Sequence, residues 1–310
     1  MDATQDDGLV GRTIDHYTIV ALIGAGGQGH VYRGRDERLR RDVAIKVLRS
    51  GVPNRYARRC PTPGLIEEAR TLSLLNHPNV ASIYDFVKQG RREYIVMEYV
   101  AGATLREILV SGPLPACEVV RLGAQIARGL AAAHAVNVVH RDIKPTNLKI
   151  TSSGKLKILD FGVAKLMPAG AIADDTACTR SMPSGVGTAP YMSPEQIRGE
   201  SSDERSDIFS AGSVLYEMAT GYQAFRQANF VALINAVQYE DPAPALMVNP
   251  HLPVAVARVI ERAMQKDPAA RYQSAAELAE SFRRLMPRPP LAGQGVKPRT
   301  TAQTFAAMGA

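Results

Sequence analysis

The stretch immediately after a cluster of glycines constrains the fold of this chain more than any other feature. Residues 24–34 read GAGGQGHVYRG and contain a G-x-G-x-x-G. Glycines at that spacing let a backbone approach phosphates with no side chain in the way. Two folds use the pattern. In a doubly wound sheet the glycines close a strand and open a helix whose N-terminus faces a pyrophosphate. Otherwise they form the turn of a hairpin that can lie over phosphates. Here the run after Gly29 is HVYRGRD, which alternates like a strand and carries no helical period. The dinucleotide arrangement also wants an acid about 20 residues on; Asp42 is near that distance but precedes a lysine-bearing strand. Strand, glycines, strand is a hairpin, so the dinucleotide reading falls.

The next strand, Val43-Ala44-Ile45-Lys46, sets a lysine inside an apolar run. An unpaired ammonium there would be costly, so Lys46 needs an anionic partner such as a phosphate with a helix carboxylate. Up to about residue 100 the pattern stays strand-like, with YTIVALIG, HVYRGRD, DVAIKVL and YIVMEYV. One helix interrupts at 64–76, where Ile66, Ala69, Leu72 and Leu75 share a face. Helices then dominate, at 117–136, 207–219, 228–238, 253–265 and 274–286, with two short strands, LKI and LKILD, between the first two. The expected fold class is therefore α+β, a small antiparallel sheet with one helix before a larger, mainly helical lobe. The expected boundaries are a flexible lead at 1–13, a two-lobed domain at 14–286 split near 100, and a flexible Pro/Gly-rich tail at 287–310.

Composition excludes little. The formal net charge is +7, with arginines clustered at 35–41 and 55–59, but a single aromatic, Tyr56, lies among them, where a nucleic-acid stacking platform requires several. Cysteines 60, 117 and 178 have neither C-x-x-C nor metal-ligand spacing and read as reduced thiols. The opening MDATQDDGLV is acidic and polar, unlike a signal peptide, and no run of about 18 apolar residues occurs. A soluble cytoplasmic chain with no nucleic-acid partner is expected.

Three further segments come in order: HRDIKPTN at 140–147, DFG at 160–162 and GTAPYMSPE at 187–195. With the glycine hairpin and VAIK, they resemble the eukaryotic-like serine/threonine protein kinases, including the many bacterial members, over residues 14–286. The resemblance implies the bilobal protein-kinase fold, ATP with Mg2+ (or Mn2+) as cofactors, and Ser/Thr-bearing protein substrates. It implies a phosphate lid at Gly24, Gly26 and Gly29, and an adenine pocket from Ile23, Val31, Ala44, Met97 and Leu148. The hinge would be Glu98 to Val100. Lys46 would contact the α- and β-phosphates and pair with Glu68, which stands nine residues before His77 of the HPN turn; Glu67 is its solvated neighbour. Asp142 would be the catalytic base, Lys144 a neutraliser of γ-phosphate charge, and Asn147 and Asp160 the metal ligands. His140 would pack on Phe161 without acid–base work, His77 and His134 would serve turns and packing, and Glu195 would pair with Arg271.

Lys144 and Thr188 fit the serine/threonine branch rather than the tyrosine branch, Thr188 positioning substrate near Asp142 and Lys144. The rival from another class is a pseudokinase scaffold, but such chains lose Lys46, Asp142 or Asp160, and this one keeps all three. A small-molecule phosphotransferase would lack the GT…SPE shelf. Arg141 beside Asp142 implies control by a phosphate on the loop between Gly162 and Gly187, with Thr179 or Thr176 the expected sites. A second copy would add it through a transient homodimer. Relatives of this kind often continue into a membrane span and a sensor, for which the tail would be a linker.

Overall fold

The computed structural model of the chain describes residues 8–26, 29–48, 73, 75–90, 92–161 and 188–286. Strands β1 (Thr13–Ile14), β2 (Tyr17–Gly26), β3 (Gly29–Asp36), β4 (Arg41–Leu48), β5 (Ile83–Gln89) and β6 (Arg92–Glu98) form one antiparallel sheet in the order β1-β2-β3-β4-β6-β5. The period-2 geometry of a strand separates the two faces of that sheet. Val43, Ile45 and Val47 of β4 join Tyr94 and Val96 of β6 in an outer core with Ile19 and Tyr32. Ala44, Ile95 and Met97 turn the other way, into the core shared with the helical lobe. Lys46 falls in the same alternation as Ala44.

Residues ahead of the boundary expected at 14 pack into the sheet lobe. Leu9 is 3% exposed within the outer core. The Gly11 amide donates to Ile19 O at 2.9 Å, and the Ile19 amide donates to Arg12 O at 2.9 Å. The helix expected at 64–76 lies outside the described residues except for Ser73, which is helical, and Leu75 and Asn76, which are not.

The helical lobe contains α1 (Leu105–Leu109), α2 (Ala116–His134), α3 (Pro194–Ile197), α4 (Glu204–Thr220), α5 (Phe230–Tyr239), α6 (Ala245–Val248), α7 (Val254–Ala263) and α8 (Ala275–Leu285). A second, three-stranded sheet of β7 (Ala103–Thr104), β8 (Leu148–Ile150) and β9 (Leu156–Ile158) lies at its inner edge. Helix α4 is buried on all sides along most of its length. Asp203 caps it through a bond from the Arg205 amide, and Gly221, at φ 80°, ends it in the left-handed conformation. Helix α2 packs so closely that a Cβ on Gly129 would meet Ile158 Cδ1 at 2.7 Å, and one on Gly123 would meet Phe282 Cζ at 2.7 Å.

The lobes are stitched together beside β9. The Ile158 amide donates to Asn79 O at 2.8 Å and the Ala81 amide to Ile158 O at 2.9 Å. Asn79 Nδ2 donates to Leu156 O at 2.8 Å and to Gln125 Oε1 at 3.0 Å. Lys157 Nζ bridges Glu98 Oε2 at 2.8 Å and Val80 O at 3.1 Å, so the strand that delivers Asp160 is tied to the end of β6.

Candidate active site

Strand register places the residues expected around a nucleotide beside one another. Gly24 pairs with Val31, Val31 with Lys46, and Lys46 with Ile95, while Ala44 pairs with Met97. Ala44, Met97, Val100 and Leu148 are buried and Val31 is partly buried, whereas Ile23 is exposed at the hairpin's rim. A cavity of about 20 Å³ is lined by Lys46, Ala81, Ile95, Met97, Asp160 and Phe161. Gly29 takes φ +125°, and a Cβ there would run into the carbonyl oxygen of Val47. We expect Gly29→Ala to lower stability by about 2 kcal/mol, as a strained backbone does, and to weaken ATP binding, both readable by urea denaturation and nucleotide titration.

Lys46 Nζ stands 3.1 Å from Asp160 Oδ1. Lys46 is 5% exposed, and Asp160 holds a left-handed backbone at φ 54°. Just inside, Phe161 packs on the His140 ring with centroids 4.6 Å apart. His140 is completely buried and its Nε2 lies 2.8 Å from Leu159 O, while Nδ1 accepts the Asp142 amide at 3.2 Å. That pattern requires the neutral ring with its proton on Nε2. Burial pushes the imidazole below its ordinary value, which favours the same state.

Asp142, 3% exposed, is the centre of a converging polar set. Lys144 Nζ lies 3.0 Å from Asp142 Oδ2 and donates to Thr188 Oγ1 at 2.8 Å. Asn147 Nδ2 donates to Asp142 O at 2.9 Å and Oδ2 at 3.2 Å. With its nitrogen committed there, the amide oxygen of Asn147 remains for a cation. Among the described residues no group of three or more His, Cys, Asp or Glu side chains could hold a metal by itself. A hard cation held by one carboxylate, one amide oxygen, waters and substrate phosphates needs none.

The structure thus brings together Lys46 with Asp160, and Asp142 with Lys144, Asn147 and Thr188. Glu68, Thr176 and Thr179 lie outside the described residues.

Sequence reasoning missed the residue that holds this loop. Asp207, fully buried at the start of α4, accepts the His140 amide through Oδ2 and the Arg141 amide through Oδ1, each at 2.7 Å. Arg141 has φ 63°, and Gln196 Nε2 donates to its carbonyl at 3.0 Å. The available signal was an acid opening the apolar run DIFSAGSVLYEMA. A buried acid in that setting requires donors.

The segment that follows Thr188 is anchored by the expected pair. Arg271 NH1 and NH2 donate to Glu195 Oε1 and Oε2 at 2.7 and 2.9 Å. Burial alone would raise the Glu195 carboxyl, but the guanidinium and the Ser206 hydroxyl outweigh it and bring the group down to about 2.

Residues 17–282 match the family model described as protein kinase domain. The chain is 39% identical over 279 residues to the serine/threonine-protein kinase PknB of Mycobacterium leprae, covering 87% of this chain and 43% of that protein. It is also 39% identical over 275 residues to the serine/threonine-protein kinase PrkC of Bacillus subtilis, covering 87% of this chain and 40% of that one. The chain therefore spans less than half the length of the curated relatives it matches. The crystal structure of the Mycobacterium tuberculosis PknI kinase domain superposes with a TM-score of 0.68 at 23% identity, over 89% of this chain and 99% of that one, which shows the shared fold. On the family match and these relatives, the chain belongs to the protein kinase domain family, among the bacterial eukaryotic-like serine/threonine protein kinases.

Proposed function

We propose that this chain transfers the γ-phosphoryl group of Mg-ATP to serine and threonine hydroxyls of proteins. The observation that carries the reading is the set around Asp142: a buried carboxylate, a lysine and an amide in contact with it, and Thr188 of the substrate-side segment on the same lysine. Phosphoryl transfer asks a protein for positioning and charge neutralisation rather than covalent chemistry. Asp142 orients the substrate hydroxyl and accepts its proton, Lys144 faces the developing charge, and Thr188 fixes that lysine. Asn147 and Asp160 supply the hard oxygens for Mg2+, which would neutralise the β- and γ-phosphates. Lys46 takes the α- and β-phosphates, with Glu68 as its helix partner, under the lid of Gly24, Gly26 and Gly29. Ile23, Val31, Ala44, Met97 and Leu148 enclose adenine, and the Glu98–Val100 backbone bonds to it.

The test is transfer from labelled ATP and Mg2+ to the protein itself and to a generic basic protein, followed by phosphosite mapping. Label on serine or threonine supports the reading; a folded, ATP-binding chain that transfers nothing overturns it.

The same reading assigns Arg141 as the receiver of an activation-loop phosphate at Thr179 or Thr176, added by a second copy. Alanine at both threonines should lower transfer to an external substrate at least about tenfold. An inactive copy should still accept label from the wild type, and rates should rise with protein concentration. No helix among the described residues is long and apolar enough to cross a membrane.

A further inference from the structure

The sheet lobe has two edge strands, β1 and β5, at opposite ends of its order. Tyr17, in register with β1, donates its hydroxyl to Asp85 Oδ2 on β5 at 3.1 Å, so the sheet curls until its ends meet. A cavity of about 320 Å³ opens between those ends, with residues 9–14 on one side and the β5–β6 hairpin on the other. Leu9, Ile14 and Tyr94 form its buried apolar wall.

Two arginines line the cavity, Arg12 from one side and Arg92 from the other. Among the described residues neither guanidinium has a hydrogen bond or an ion pair. That sets them apart from Arg33, Arg35, Arg38 and Arg41 of the same lobe, each of which stands against a carboxylate. No acid is among the described residues that line the space. Glu93, next to Arg92 in sequence, falls on the opposite face of β6 and lies 3.6 Å from Lys88 Nζ. The remaining polar groups of the lining can all donate: the Thr13 hydroxyl, the Gln89 amide and the Tyr94 hydroxyl. Tyr94 is 4% exposed, and its hydroxyl is neither sealed off nor hydrogen-bonded.

Both arginines start from fixed backbone. The Arg12 amide donates to Leu9 O at 3.0 Å, and its carbonyl accepts the Ile19 amide at 2.9 Å. Arg92 pairs with Gln89 across the hairpin, where Gly90 turns at φ 63°. Arg12 is exposed and Arg92 half-buried, so each can turn onto a ligand with no partner to give up. Two like charges around a space without an acid repel, and an anion between them removes that repulsion. A guanidinium fork matches two oxygens of a phosphate, and two forks suit a dianion.

We propose that this cavity is a phosphate-binding site separate from the nucleotide cleft. It takes the group free or as a monoester whose apolar body lies against Leu9, Ile14 and Tyr94. Once seated, the phosphate ties the chain leading into β1 to the β5–β6 hairpin and braces the curled sheet. The site does not depend on the phosphotransfer reading above.

Inorganic phosphate and phenyl phosphate are the probes, added to the full chain at constant ionic strength. The backbone amide signals of Thr13, Gly90 and Arg92 give a local readout that occupancy of the nucleotide cleft leaves still. These amides should shift saturably. Tighter binding of phenyl phosphate by about threefold or more, the contribution of a small apolar contact, assigns a monoester. Affinity equal to or below that of inorganic phosphate assigns the free ion. The double variant Arg12→Ala, Arg92→Ala should bind at least about tenfold more weakly, because the charge-assisted bonds are gone. Its fold should persist, since neither guanidinium bonds to the rest of the protein. Arg12→Lys with Arg92→Lys keeps the charge and loses the forks, and should bind about threefold more weakly or worse. Lysines that bind as tightly as the arginines show a diffuse positive surface and overturn the site. Undiminished affinity in the alanine variant overturns it too, as does the absence of saturable shifts up to about 10 mM of either probe.

Discussion

Asp142→Asn should reduce phosphate transfer by about a thousandfold, within the range a positioned general base contributes, while leaving the fold and nucleotide binding intact. The side chain is buried, so the substitution must fit the same space, and an amide does. What the variant loses is the negative charge that faces Lys144 Nζ at 3.0 Å, on the carboxylate that accepts from Asn147 Nδ2 at 3.2 Å. A neutral amide oxygen can still accept from Asn147, so the local geometry survives; it cannot accept the proton of a substrate hydroxyl. ATP contacts assigned to Lys46, Asp160 and the glycine hairpin are separate groups, and nucleotide affinity should change by less than about twofold. Thermal unfolding, nucleotide titration and labelled transfer on the same preparation distinguish the cases. A folded, ATP-binding Asn variant that keeps more than a tenth of the rate removes Asp142 from the chemistry.

Why that residue is legible in the sequence, and Asp207 is not, has a physical cause. The family segments are short and local: HRDIKPTN carries Asp142, Lys144 and Asn147 within one turn of chain, so the spacing that makes the site also marks it. The glycine hairpin is legible for a similar reason, since a period of two after Gly29 cannot serve a helix. The alternation in VAIK likewise puts Ala44 and Lys46 on one face, where the register sets Lys46 against Val31 and Ile95. Asp207 instead bonds to amides far away in sequence, and a tertiary hydrogen bond leaves no period.

The boundaries fail in the same way. The apolar run places helix α4 from residue 207, but its cap is Asp203 and its first turn is polar. The four-residue helices α3 and α6 are too short to show a period at all. The lead assigned to residues 1–13 misses the burial of Leu9, because one apolar side chain in a polar stretch carries no pattern. Lys46 needs an anion on sequence grounds; that Asp160, at 3.1 Å, is one carboxylate beside it among the described residues is decided by how β9 is tied to the sheet lobe.

Arg271→Met should destabilise the protein by about 3–5 kcal/mol, the cost of leaving one partner of a buried ion pair uncompensated. All five guanidinium donors are used: Nε to Gln265 O at 2.7 Å, NH1 to Glu195 Oε1 and Arg205 O, NH2 to Glu195 Oε2 and Lys266 O. The side chain has no exposure and stacks 5.0 Å from the Phe209 ring centroid. Removing it strands the Glu195 carboxylate with only the Ser206 hydroxyl, at 2.6 Å, among these partners. Replacing both members by apolar groups should cost much less than the single change, and urea denaturation of the single and double variants measures the difference. The pair also predicts an acid dependence whose sign is fixed. Glu195 in the folded chain titrates at about 2, below its ordinary 4.5. A depressed carboxylate contributes stability that is fully present above the ordinary value and lost as pH falls toward the folded value. The stability gap between wild type and Glu195→Gln should therefore be constant from pH 7 to about 5. It should then shrink by up to about 3 kcal/mol as pH falls toward 2. A gap that stays level through that interval would show that the carboxylate owes nothing to Arg271. The segment leading to Thr188 would then be held by the packing of Pro190 and Tyr191 instead.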